Sequence, residues 1–250
     1  MTAEPPGGAT SNVPSRTGGP VPPSPPASRT GGPVPPDPTG IKAGFVRAAR
    51  ASDAPGLARI QVASWRASLG GIVPDAVLAE LSSDEAEERF TERWRDAITN
   101  PPTSRHKVHV AVDPDAGSGP GGTAGGTASM APVGFASTGP ATDDDRWPGT
   151  DAELYELHVL PEHADAGHGA RLLHAVADTL AEDGFRYVCT WALSADERRL
   201  SFLEAAGWAP DGAHSNLDMG VKVHVVRLHT RLAEAALAAV TNGLECGWMG

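Results

Sequence analysis

Residues 153–173 read ELYELHVLPEHADAGHGARLL, and the fold follows from how this stretch is parsed. An apolar-alternating strand runs to Pro161, a short loop follows, and Gly167-His168-Gly169 opens a helix whose buried face carries Leu172 and Leu173. Glycines at a helix start let backbone N–H groups approach an anion closely, and the helix dipole favours negative charge there. A phosphate or pyrophosphate is the natural ligand of such a turn. The stretch is not a Walker loop, because no Gly-Lys-Ser/Thr follows, and the G-x-G-x-x-G pattern of dinucleotide sites is unmet. A tight strand-to-helix turn without any ligand is the plainer alternative.

Working outward, ordered structure is expected from about Gly44. Residues 45–47 read as a first strand, and Ser52 or Asp53 as the cap of a helix with Pro55 in its first turn. Residues 72–81 read as a second short helix. Ser82 and Glu85 have capping-box spacing for a third, whose stripe is Phe90, Trp94 and Ile98. Strands are expected at 107–112, 133–138, 154–160, 186–192 and 221–228, with helices at 169–183 and 196–206. This order gives an α/β (α+β) mixed sheet with helices on its faces. Residues 1–42 hold twelve of the 23 prolines and a direct repeat, SRTGGPVPP at 15–23 and 28–36, and read as a disordered arm. The folded domain spans 43–230, interrupted by a Gly/Ala/Thr-rich loop at 113–131, and 231–250 form a tail.

Composition narrows the function. A formal net charge of −11 with no basic block argues against nucleic-acid or anionic-membrane binding. No apolar run reaches the ~18 residues of a membrane span. The first residues lack the basic-then-apolar pattern of a secretory signal, and two cysteines are too few for a disulfide scaffold, so a cytoplasmic protein with reduced thiols is expected. His158, His163 and His168 are spaced five apart, but without an H-E-x-x-H helix or a nearby cysteine no metal site is expected. No G-x-S-x-G elbow is present, which argues against a serine hydrolase. Cys189 reads as a buried inert thiol, and Trp65, Trp94, Trp191 and Trp208 chiefly as core.

Leu157-His158-Val159-x-Pro161, followed by Gly167-x-Gly169-x-x-Leu172-Leu173, resembles the acyl-CoA motif of the GNAT N-acetyltransferases. Trp65-Arg66-Ala67-Ser68-x-Gly70-x-Ile72-Val73-Pro74 is similar to their acceptor-side helices, and Phe202-x-Glu204-x-x-Gly207-Trp208 to their late helix and strand. The resemblance covers about residues 44–229 in the right order. It implies the GNAT fold, a central and mostly antiparallel sheet with helices on both faces. It also implies acetyl-CoA as cosubstrate and a small-molecule or peptide amine as acceptor, attacked directly, and it leaves room for a homodimer. By residue, it implies main-chain bonds from Leu157 and Val159, in a strand that includes His158, to the pantetheine arm. The pyrophosphate falls to the amides of Gly167, His168, Gly169 and Ala170. Glu156 becomes the base for the acceptor ammonium, with Glu153 and His158 as lesser candidates, and Trp65 and Arg66 face the acceptor.

Three positions depart from the family pattern. Ala164 stands where Arg or Gln usually contacts phosphate, Asp196 where Asn is common, and Leu203 where many members have the Tyr that protonates the leaving thiolate. Water, Ser201 or His163 could then supply that proton. The alternative is a domain that has lost catalysis and binds acyl-CoA as a regulatory or interaction module.

Overall fold

The structure is a computed structural model, and it describes residues 44–114 and 131–232. The proposed arm, the interior of the loop after Asp113 and nearly all of the tail lie outside these residues. Within them, a seven-stranded sheet runs in the order β1-β2-β3-β4-β5-β7-β6, with β1 Phe45–Ala48, β2 Lys107–Val112, β3 Pro132–Pro140, β4 Asp151–Val159, β5 Tyr187–Leu193, β6 Ala209–Asp218 and β7 Lys222–Arg231. Every neighbouring pair is antiparallel except β4 and β5, which are joined by the crossover helix α4, His168–Glu182. That crossover is what a parallel pair requires.

Helices cover both faces, as the sequence implies. On one face α1, Ala54–Leu69, and α3, Asp84–Thr99, pack Leu57, Ile60 and Trp94 onto Val110, Val112 and Phe135. On the other, α4 lays Leu172, Leu173, Val176 and Leu180 onto Ala136, Leu154 and Leu157, and α5, Glu197–Ala205, adds Leu203. The α4 spacing of i, i+1, i+4 and i+8 is the stripe of an amphipathic helix. Burying each such side chain contributes roughly 1.5–3 kcal/mol. A third cluster joins Leu69 and Val73 to Val223 of β7, beside the short helix α2, Asp75–Leu81.

Two caps differ from the sequence reading. Asp53 holds the N-cap position of α1, but its side chain does not cap the helix. Its carboxylate accepts from the Arg50 amide at 2.7 Å and from Arg47 at 2.6 and 2.9 Å, closing the 3-10 turn Ala51–Asp53 ahead of the helix. The cap of α3 is Ser83, whose hydroxyl accepts from the Ala86 amide, while Ser82 turns back to the Leu78 carbonyl. β6 was not anticipated. Its sequence, APDGAHSNLD, is mostly exposed and polar, and it is an edge strand defined by its ladder to β7 alone.

Candidate active site

The chemistry of β4 depends on one irregularity. In the ladder with β3, Ser137 faces Glu156 but Thr138 faces Leu154, so Tyr155 is an extra residue. Before this bulge Ala152 and Leu154 point into the core under α4; after it, Leu157 does so and Val159 packs beside it. The phase change turns Glu156 and His158 together to the opposite face, which is how bulges re-aim side chains. There Glu156 Oε2 lies 2.6 Å from His158 Nε2. Gln61 of α1 donates to Glu156 Oε1 at 3.5 Å, and Trp94 Nε1 donates to Gln61 at 2.9 Å, so two helices set the carboxylate's orientation. Burial pushes the Glu156 carboxyl up, but the hydrogen bond and charge of His158, with Arg199 and Arg93, outweigh it and hold the group below the usual carboxylate range.

Beside the bulge, β4 and β5 part. Their parallel ladder ends at Glu153 opposite Cys189, and the last tie is Thr190 Oγ1 donating to the Leu154 carbonyl at 2.8 Å. Two cavities open where the strands diverge. The larger, about 540 Å³, is lined by Trp65, Tyr155, Glu156, Trp191 and Asp143 among others. The second, about 470 Å³, is lined by Leu157, Val159, Ala164, Gly169 and Phe202 among others. Ser68, His158, Asp196 and Arg199 line both and form the seam between them.

At the outer end of the second cavity lies the glycine turn. Gly167 is the N-cap of α4 with φ 74°, a left-handed conformation that glycine adopts without steric cost, and no side chain caps the helix start. Gly169 sits so close to α5 that a Cβ there would meet Phe202 Cζ at 3.1 Å. Two guanidiniums flank the turn. Arg171 donates to the Ala166 carbonyl at 2.9 Å, and Arg198 pairs with Asp165 at 2.8 Å. They put positive charge where Ala164 supplies none.

Most predicted site residues meet in these cavities, and several are placed otherwise. Arg66 lines neither; its guanidinium donates to the Ser82 carbonyl at 2.6 Å, tying α1 to the turn before α3. The His168 side chain is buried behind the turn, facing Asp113, so only its backbone can serve an anion at the front. His163 also turns toward Asp113, Ser201 is exposed on α5 away from both cavities, and Leu203 is fully buried in the core, so none reaches the seam as an acid. Asp196 accepts from the Arg199 amide as the cap of α5. Trp191, read as core, is half-buried and forms cavity wall; Cys189 is buried, its thiol pushed up to about 12 by burial first and by Glu153. Arg199 was missed. It donates to the Leu157 carbonyl at 3.0 Å, and Ser64 to that of Val159 at 3.2 Å, so both carbonyls on the strand read as the pantetheine grip are engaged by side chains. Unpaired carbonyls on a parted strand demand such partners. The sequence marked Arg199 only by its place one turn past a capping Asp.

The acetyltransferase (GNAT) family matches residues 78–208, just over half of the chain, across the bulged strand, the glycine turn and α5. The chain belongs to the GNAT family. A relative from Bacillus subtilis (strain 168), the uncharacterized N-acetyltransferase YuaI, is 29% identical over 185 residues, which are 73% of this chain and 90% of YuaI. A GNAT-family structure from Desulfovibrio desulfuricans matches with 16% identity and a TM-score of 0.53 over 76% of this chain and 99% of its own. The structure of yncA from Salmonella typhimurium, solved with its cofactor acetyl-CoA, matches with 17% identity and a TM-score of 0.53 over 76% and 94%. These solved structures share the GNAT fold with this chain.

Proposed function

We propose that this GNAT protein is an N-acetyltransferase that binds acetyl-CoA in the second cavity and moves its acetyl group to a primary amine held in the larger one. The observation that carries the reading is the seam. His158 stands at the meeting of two cavities that open where β4 and β5 part, hydrogen-bonded to Glu156 on the wall of the larger one. The residues fit the cosubstrate. The uncapped α4 start with Gly167, flanked by Arg171 and Arg198, suits a pyrophosphate, and the amides of His168, Gly169 and Ala170 would bind it. The groove along Leu157 and Val159 suits the pantetheine arm, in place of or alongside the Arg199 and Ser64 contacts.

When bound, acetyl-CoA supplies a thioester whose acyl carbon gains a bond to nitrogen as its bond to sulfur breaks. The chain's own work is proton handling and positioning. A primary ammonium, with pKa near 10, must first lose a proton. Glu156 is held ionised and accepts it directly or through water, while the hydrogen bond from His158 keeps the carboxylate oriented. Arg199 fixes positive charge at the seam. The released thiol needs little acid help, because thiols ionise near pH 8.5, which accommodates Leu203. Asp143, Glu156 and Asp196, with Trp65, Tyr155 and Trp191, give the larger cavity an acidic and aromatic wall suited to a cationic amine.

Thiol release from acetyl-CoA, measured across a panel of polyamines, aminoglycosides and peptide N-termini, tests the reading. It predicts amine-dependent release for at least one cationic class, greatly reduced in Glu156→Gln. A second reading, an acyl-CoA-binding module without catalysis, draws on Leu203 in the core and Arg199 on the Leu157 carbonyl. Tight acetyl-CoA binding with no release for any amine would favour it.

A further inference from the structure

Behind the glycine turn, on the side away from both cavities, three metal-ligating side chains converge. Asp113 follows the end of β2, His163 closes the 3-10 turn Pro161–His163, and His168 begins α4. His168 Nε2 lies 3.4 Å from Asp113 Oδ2, and His163 Nδ1 lies 3.7 Å from the same oxygen. The two imidazole rings meet edge-on with centroids 5.9 Å apart, and one ligand atom from each of the three residues lies within 4.8 Å of the others. Ligands bonded to one tetrahedral zinc-class ion at ~2.0–2.2 Å stand about 3.3–3.6 Å apart, so the His168–Asp113 separation already matches, while the His163–Asp113 and His163–His168 separations need a small closure.

His168 adds a second observation. It is only 1% exposed; its Nδ1 has no hydrogen-bond partner among the described residues, and its Nε2 has only the long 3.4 Å contact to Asp113. A buried imidazole so weakly hydrogen-bonded is costly unless something else satisfies it. Its Nε2 is aimed into the cluster.

We propose that Asp113, His163 and His168 form a binding site for one divalent cation of the zinc class, which ties both ends of the glycine turn to the end of β2. Two imidazoles and one carboxylate, with no thiolate, suit zinc, cobalt or nickel rather than calcium or magnesium. His163 and His168 bracket residues 164–167, so the ion would stiffen the turn from behind while its front stays open. The inference stands on this cluster alone and does not require the proposed reaction.

The test uses untagged full-length protein, stripped with chelator and dialysed into metal-free buffer. Titration with Co²⁺ is followed by its visible absorption, and Zn²⁺ is titrated calorimetrically. Wild type is expected to bind one equivalent, to show tetrahedral Co²⁺ bands that Zn²⁺ abolishes, and to melt higher with Zn²⁺ present. Asp113→Asn and His163→Gln, both at partly exposed positions, should each weaken Zn²⁺ binding about tenfold or more, with the metal-free melting temperature held close to wild type. Wild type failing to bind, or both folded variants binding as wild type does, would overturn the site.

Discussion

In the proposed reaction Glu156 takes the proton, and its environment sets what a substitution should do. The group is held below the ordinary carboxylate range by His158, Arg199 and Arg93 against the opposing effect of burial, so it is ionised at neutral pH. Glu156→Gln should lower kcat by about 100-fold, within the range a positioned base contributes, with the KM for acetyl-CoA nearly unchanged. The deficit should be largest near neutral pH and narrow toward about pH 9, where the acceptor supplies its own free amine. Steady-state pH profiles of both proteins check this, and a constant deficit across pH would remove Glu156 as the base. Asp53 offers a stability counterpart. Burial pushes its carboxyl up, but Arg47 and the Arg50 amide outweigh that and hold it below its unfolded value. Its stabilisation is therefore complete above about pH 4 and is lost as pH falls through the lower folded value. Asp53→Ala should cost about 1.5–3 kcal/mol at pH 7 by urea unfolding, and the difference from wild type should shrink in acid. The place of Glu156 on the strand before the glycine turn was legible. Its pairing with His158 was not, because two residues apart on a regular strand reveal a shared face but not which face, and the bulge at Tyr155 decides that.

At the scale of elements, the turn between β4 and α4 concentrates the predictions. Gly167→Ala must place a Cβ on a left-handed residue at φ 74°, which should cost roughly 1–2 kcal/mol and misalign the α4 amides. Acetyl-CoA affinity should fall more than stability, read by calorimetric titration beside thermal melts; unchanged affinity would separate the turn from the ligand. This turn was the most legible element, because strand, Pro and two glycines each carry local conformational meaning. β6 was the least. An exposed edge strand needs no alternation, so its polar sequence resembled loop, and only its pairing with β7 defines it. The caps erred by a single position at Ser83 for a similar reason: adjacent serines are equivalent in sequence, and the helix selects one by where its first amides point.

Across the molecule, Arg227 of β7 reaches the connection between β3 and β4. It is 3% exposed and pairs with Asp143 at 2.7 Å, Asp211 at 2.8 Å and Asp145 at 2.5 Å, while Arg146 pairs with Asp211. Asp143 also accepts from Trp191 Nε1, so this network fixes one wall of the larger cavity. Removing one partner of a buried charge set leaves the others uncompensated, and Arg227→Met should lose about 3 kcal/mol. For a chain of this size that lowers Tm by about 6–12 °C, and scanning calorimetry should show it. None of these pairings was legible, since residues 143 and 227 are brought together only by the order of the sheet. The fold class, by contrast, was carried by local signals repeated along the chain.

In the proposed function the parted strand and the glycine turn together hold acetyl-CoA. Hydrogen–deuterium exchange with and without acetyl-CoA tests it most directly. Slowed exchange is expected at residues 157–159 and 167–171, with β1 and β2 unchanged. Saturating acetyl-CoA that leaves those amides exchanging as before, or that protects a different surface, would contradict it.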